Sequence, residues 1–177
     1  MRRTLFESIV RGPLTEAAPE ADGAALAELA AALDRTARKR LGRSLSIREV
    51  DAGSCNACEL EIHALNNAFY DLERLGLRFV ASPRHADVLL VTGPVTKNMA
   101  EALARTYAAT PLPKWVVAVG KCAIDGGIFA DSYAVAGGVS HVVPVDLHIN
   151  GCPPSPTELL RGLIALLEHV GGGGPVT

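Results

Sequence analysis

Along this chain the hydrophobic positions switch repeatedly between helical and strand spacing. Within residues 24–40, Leu26, Leu29, Ala30 and Leu33 recur at helical intervals. Arg38, Lys39 and Arg40 then suit the negative end of a helix, and Gly42 is a stop signal. Ser44–Val50 reads as a strand, Ile62–Leu75 as a helix ending at Gly76, and Leu77–Ala81 as a short strand. Val88–Thr92 is a continuous apolar run of the kind found in buried parallel sheets, broken by Gly93-Pro94. Lys97–Ala108 has helical spacing, and Trp115–Val119 is a second buried strand that ends at Gly120. Val142–Val145 reads as a short strand or extended segment, and Pro156–Val170 as a last helix with proline near its start. Strands alternating with helices predict an α/β fold around a parallel sheet.

Two segments lack this rhythm. Residues 1–22, with Gly12, Pro13 and Pro19, read as an extended arm that cannot fold alone. Residues 171–177, GGGGPVT, read as a flexible tail. The expected organisation is an arm and helix over 1–43, an α/β domain over 44–170 and the tail.

Four cysteines sit in the breaks between elements: Cys55, Cys58, Cys122 and Cys152, spaced C-x2-C-x63-C-x29-C. Each is surrounded by glycine, proline or other small residues, and each pair or single cysteine follows a predicted strand. In parallel α/β sheets, sites form in the loops beyond the carboxyl ends of the strands. The loops therefore predict one converging site. Four thiolates are a full ligand set for one [4Fe–4S] cluster or one structural zinc. Structural zinc usually takes two closely spaced pairs, and here Cys122 and Cys152 lie far apart. Cys152-Pro153 matches the Cys-Pro pairs of cluster loops. Gly53, Gly120, Gly126, Gly127 and Gly151 would let backbone N–H groups approach cluster sulfurs.

Composition narrows the class. The chain has 177 residues, 49% hydrophobic, 20% charged and 5% aromatic, with net charge -2. That balance argues against nucleic-acid binding. Charge is uneven, with nine Lys/Arg and six Asp/Glu in residues 1–48 and eight and thirteen in the rest. The basic front suits an acidic partner or an anionic surface, or is simply a solvated helix face. No apolar run reaches the roughly 18 residues of a membrane span. MRRTLFESIVRGP carries two arginines but no long apolar segment, so it is not read as a secretory or twin-arginine signal. A reduced, cytoplasmic setting is expected, where cysteines bind metal rather than pair.

The segments GSCNACELEI, ADVLLVTGPVT, VVAVGKCAIDGG and VPVDLHINGCPPSPTELL, at this spacing, resemble the family that joins [NiFe] hydrogenase small subunits to the 20-kDa, B-type subunit of respiratory complex I. The resemblance runs from about Ser44 to Leu167. It implies a flavodoxin-like domain whose Cys55, Cys58, Cys122 and Cys152 ligate one [4Fe–4S] cluster. It also implies an electron-transfer subunit of a membrane-associated oxidoreductase. Its partners would be a large catalytic subunit, a ferredoxin-like iron–sulfur subunit and membrane subunits, with this chain held peripherally on the cytoplasmic side. Complex I subunits resemble the chain but carry two adjacent cysteines where it has Cys55-Asn56-Ala57-Cys58. Membrane-associated hydrogenases of the formate-hydrogenlyase and hydrogenase-4 type carry C-x-x-C, as this chain does, and YAVAGGVSHVVPVD resembles that branch. Asn150 departs from a proline common before GCPP. The alternatives are a complex I-like NADH or ferredoxin:quinone oxidoreductase subunit and, in another class, a structural zinc-binding interaction module.

Other residues carry paired readings. Glu59 is a candidate for a proton path near the cluster, against a first-turn glutamate that complements a helix N-terminus. Glu61 is its companion across the turn. His63 could tune a cluster or be a polar helix residue. His141 and His148 are expected to face solvent or an interface. Lys121 adjoins Cys122 as a cation or as a solvated lysine. Thr92-Gly93-Pro94 ends a strand at the same rim and reads as a loop shaping the partner interface or cluster pocket, not a phosphate site. No phosphate-binding motif is present, so nucleotide binding is unsupported. A flavin is discounted because cysteines hold the rim it would occupy.

Overall fold

The apolar runs become a five-stranded sheet in which every pairing is parallel. A computed structural model describes residues 44–170 continuously, together with four helical positions ahead of them, Glu28, Ala31, Ala32 and Arg35. The expected arm over 1–22, the limits of the first helix, its stop at Gly42 and the tail over 171–177 lie outside the described residues. The strands are β1 (Leu45–Asp51), β2 (Leu77–Phe79), β3 (Val88–Thr92), β4 (Trp115–Val119) and β5 (Leu147–Ile149). The helices are α1 (Ala57–Ala64), α2 (Lys97–Ala109), α3 (Gly120–Asp125) and α4 (Pro156–Val170).

Strand order is β2-β1-β3-β4-β5, the flavodoxin-like arrangement. Its switch point lies between β1 and β3, where loops leave toward opposite faces. β3 and β4 are almost uniformly apolar because helices cover both faces of the sheet. Alternate residues go to opposite cores. Leu45, Ile47, Val88, Leu90, Val117 and Val119 meet Ile62 of α1 and the leucines of α4. Val50, Leu89, Val91, Val116 and Ala118 meet Leu103 of α2 and Ala123 of α3. In α4 the apolar stripe Leu159, Leu160, Leu163, Leu166 and Leu167 is buried, while Glu158, Arg161 and Glu168 are exposed.

The structure corrects two sequence expectations. Ile62–Leu75 is not one helix: α1 starts earlier, at Ala57, and ends at Ala64. Asn67 Oδ1 then accepts hydrogen bonds from the Phe69 and Tyr70 amides at 2.8 and 3.0 Å, and Asp71 takes a left-handed conformation before a 3-10 turn at Leu72–Leu75. Such side-chain bonds compete with helix continuation. Val142–Val145 is not a strand either. It follows a 3-10 turn at Val139–His141, and Pro144 cannot donate to a ladder. The fifth strand starts after Asp146, whose Oδ2 accepts from the Val116 amide at 2.7 Å while its own amide donates to Val116 O at 2.9 Å.

Candidate functional site

Asp51, the last residue of β1, shapes the first cysteine loop. Its Oδ1 accepts from the Gly53 and Ser54 amides, both at 2.8 Å. Ser54 Oγ then accepts from the Asn56 amide at 3.0 Å. Asn56 takes a left-handed conformation and starts α1, so Cys55 lies in the loop and Cys58 in the first helical turn. The loop after β3 carries no cysteine but props this one. Thr96 N donates to Ala52 O at 2.8 Å, and a Cβ on Gly93 would sit 2.8 Å from Ser54 N. Val95 in the same loop is fully buried at φ 49, a costly conformation for a β-branched residue, on the order of 1–3 kcal/mol. Ala136 N holds it by donating to Val95 O at 2.8 Å.

β4 delivers Cys122 in the short helix α3 rather than in an open loop. Gly120, at φ 84, lies so close to the first cysteine loop that an added Cβ would stand 2.7 Å from Cys58 Sγ. A Cβ on Gly127 would stand 2.8 Å from Cys122 Sγ, and the Ile128 amide donates to that sulfur. β5 delivers Cys152. Lys121 N donates to Gly151 O at 2.8 Å, which ties the second and third cysteine loops together. Beyond them Ser155 caps α4: Glu158 Oε2 accepts from Ser155 N at 2.7 Å and from its hydroxyl at 2.8 Å, a capping box.

All four cysteines are free. Burial pushes the Cys58 thiol up to about 12, and Glu59, Cys122, Cys55 and Cys152 push the same way. Burial also raises Cys122, followed by Cys152 and Cys55, against the Ile128 amide. The four sulfurs therefore share one electrostatic space. Among the described residues, no three His, Cys, Asp or Glu side chains are drawn around a common point. The chemistry of the donors nevertheless fits a metal cluster. The raised Cys58 and Cys122 thiols resist ionisation unless a strong cationic centre accompanies them, and the glycine backbone leaves room against these two sulfurs.

The other predicted residues separate. Glu59 is 6% exposed, and neither carboxylate oxygen has a hydrogen-bond partner among the described residues. Glu61 is half-buried. His63 is exposed and faces Glu49, with Nε2 at 3.9 Å from Oε2. His141 and His148 are exposed. Lys121 pairs with Asp125 at 2.6 Å. Thr92-Gly93-Pro94 ends β3 at the same rim. Two large apolar side chains stand bare close in chain to the cysteines: Leu60 after Cys58 and Ile128 after Cys122, at 60% and 83% exposure. The sequence reading of Thr92-Gly93-Pro94 as a loop that shapes an interface or pocket lacked only the means, the Thr96 backbone bond and the close approach of Gly93 to Ser54, which no local signal records.

The family described as NADH ubiquinone oxidoreductase, 20 Kd subunit, matches residues 55–166. Formate hydrogenlyase subunit 7 of Escherichia coli is 43% identical over 153 residues, 83% of this chain; the chain spans only 60% of that relative's length. A probable membrane-bound hydrogenase subunit, mbhJ of Pyrococcus furiosus, is 45% identical over 75% of this chain and 79% of its own. A structure of a membrane-bound sulfane sulfur reductase, an archaeal respiratory membrane complex, includes a chain similar at TM-score 0.67 and 38% identity, covering 80% of this chain and 77% of that one. A chain of an NAD+-reducing [NiFe]-hydrogenase shares the fold at TM-score 0.57 and 21% identity, over 76% and 97%. This chain belongs to the family uniting the complex I 20 Kd subunit with [NiFe] hydrogenase small subunits, on its energy-converting hydrogenase side.

Proposed function

We propose that this chain is the electron-relay subunit of a membrane-associated, hydrogenase-type oxidoreductase. One [4Fe–4S] cluster, held by Cys55, Cys58, Cys122 and Cys152, would supply one-electron transfer when bound. The observation that supports this reading is that four free cysteines follow three strands of one parallel sheet, near enough that Cys122, Cys55 and Cys152 all act on the Cys58 thiol. The chain's own part is to fix those sulfurs. The Asp51 turn sets the first pair, the β3 loop props it, and the bond from Lys121 N to Gly151 O holds the other two loops in register. The partners in this reading are a large catalytic subunit and a ferredoxin-like subunit. Bare Leu60 and Ile128, each close in chain to a cysteine, would offer the large subunit an apolar seat.

Residues 1–43 would dock on the large or a membrane subunit, at the cytoplasmic side of the membrane. Among the described residues no helix is long and apolar enough to cross a bilayer. Glu59 would pass protons toward the large subunit. A buried carboxylate without partners is costly, and a simple helix-terminus role needs no such burial. Glu59→Gln should keep the iron while slowing turnover and altering its pH profile; unchanged turnover and profile would remove the proton path.

The decisive measurement is metal content of the purified chain. About four iron and four acid-labile sulfide per chain are expected, falling in Cys152→Ser. Zinc without iron would overturn the cluster in favour of a structural zinc module. The similarity to a sulfane sulfur reductase complex favours a second reading, the same relay serving different terminal chemistry. Nickel in the assembled complex supports the hydrogenase; its absence, with the cluster present, supports the second reading or a complex I-like quinone enzyme.

A further inference from the structure

A cavity of about 250 Å³ opens beside β1, with no cysteine in its lining, bordered among others by Arg48, Glu49, His63, Asn66, Phe79 and Val80. Arg48 and Glu49 are neighbours on one strand, so their side chains leave toward opposite faces of the sheet. Both residues border the cavity, as they would at the strand's open edge. The strand pairing explains why an edge is open there. β1 pairs with β2 only over Leu45–Ile47, whereas its pairing with β3 continues to Asp51. After Val80 N donates to Ile47 O at 2.8 Å, the chain of β2 turns into a 3-10 turn at Pro83–His85. The outer edge of β1 past Ile47 is left without a β2 partner, and Glu49 on it borders the cavity.

The polar atoms of this slot are incomplete. Arg48 Nε and Glu49 Oε1 are buried with no hydrogen-bond partner among the described residues, one a donor and the other an acceptor. Burial raises the Glu49 carboxyl from its ordinary value; His63 and Arg48 oppose the rise, and Glu59 and Asp51 add to it. A carboxylate on one face, a guanidinium on the other and a strand edge between them match an extended peptide. Its backbone would continue the ladder where β2 stops. Its alternating side chains would offer a cation to Glu49 and an oxygen acceptor to Arg48.

We propose that this slot receives an extended segment of a partner subunit, about three residues long and carrying a lysine or arginine toward Glu49. The proposal rests on the reading of this chain as one subunit of a complex. Failure to co-purify with any partner would sink that reading; the exchange measurement below, made on an assembled complex, tests the slot alone.

Amide hydrogen exchange over residues 48–51 would be compared between the full isolated chain and the assembled complex, with wild-type chain and with Glu49→Lys. Exchange in the wild-type complex is expected to slow by about tenfold or more relative to the isolated chain. Glu49→Lys should abolish that slowing while leaving the iron content unchanged. Equal exchange in the two wild-type samples would overturn the proposal, whether residues 1–43 of this chain cover the edge or nothing does. Protection that persists in Glu49→Lys would also overturn it, because the recognition would then not depend on the carboxylate.

Discussion

At the scale of single residues, closeness to sulfur and burial of charge dominate. Gly120 holds a positive φ with its missing side chain aimed at Cys58 Sγ. Gly120→Ala adds a left-handed cost of about 1–2 kcal/mol and a clash with the sulfur. The expected outcome is a folded chain by circular dichroism with a clear loss of bound iron; full iron loading would show that Cys58 has room to shift. Glu49 gives a prediction with a definite sign. A carboxyl whose folded pKa is raised binds more protons in the folded chain, so stability falls as pH rises from the ordinary glutamate value through the raised one. Glu49→Gln should therefore raise the melting temperature of the isolated chain at neutral pH. The gain should vanish in acid below the ordinary glutamate value. Paired melts at the two pH values check it, and a neutral-pH loss would refute it.

Among the elements, α4 shows how periodicity becomes stability. Its leucine stripe closes one core against β1, β3, β4 and β5, and Leu163 is 1% exposed. Leu163→Ala should cost about 2–5 kcal/mol in urea unfolding, as truncation of a fully buried leucine does. The helix was legible in the sequence to the residue, because Pro156 and five leucines at helical spacing leave one reading. β3 and β4 were legible for a similar reason, as unbroken apolar runs between glycine and proline signals. α1 was not. Its start depends on Asn56 in a left-handed conformation and its end on side-chain bonds from Asn67, choices that hydrophobic spacing does not record. The fifth strand was displaced because Val142–Val145 is apolar through burial under the sheet's margin, while Leu147–Ile149 gains its strand pairing only from β4.

For the whole molecule, the question is which surface meets which partner. Exposed Leu60 follows Cys58 on α1, and exposed Ile128 sits against Cys122. Ile128→Glu should weaken co-purification with the large subunit while the iron stays bound to this chain. Retention of the complex at full yield would move that interface elsewhere.

The sequence by itself determined the alternation of strands and helices, the parallel sheet and the identity of the four thiols. Local apolar rhythm fixes the first two, and cysteine is rare enough in this chain to mark the third. Only the tertiary structure decided how those thiols are supported and what else the fold leaves open. Gly120 meets Cys58 across 62 residues of chain, and the β3 loop props a cysteine turn to which it contributes no ligand. Arg48 and Glu49 look like ordinary strand residues until β2 stops short of them. Each of these facts is a contact between segments distant in sequence, made when the sheet closes, and no local pattern of residues encodes it.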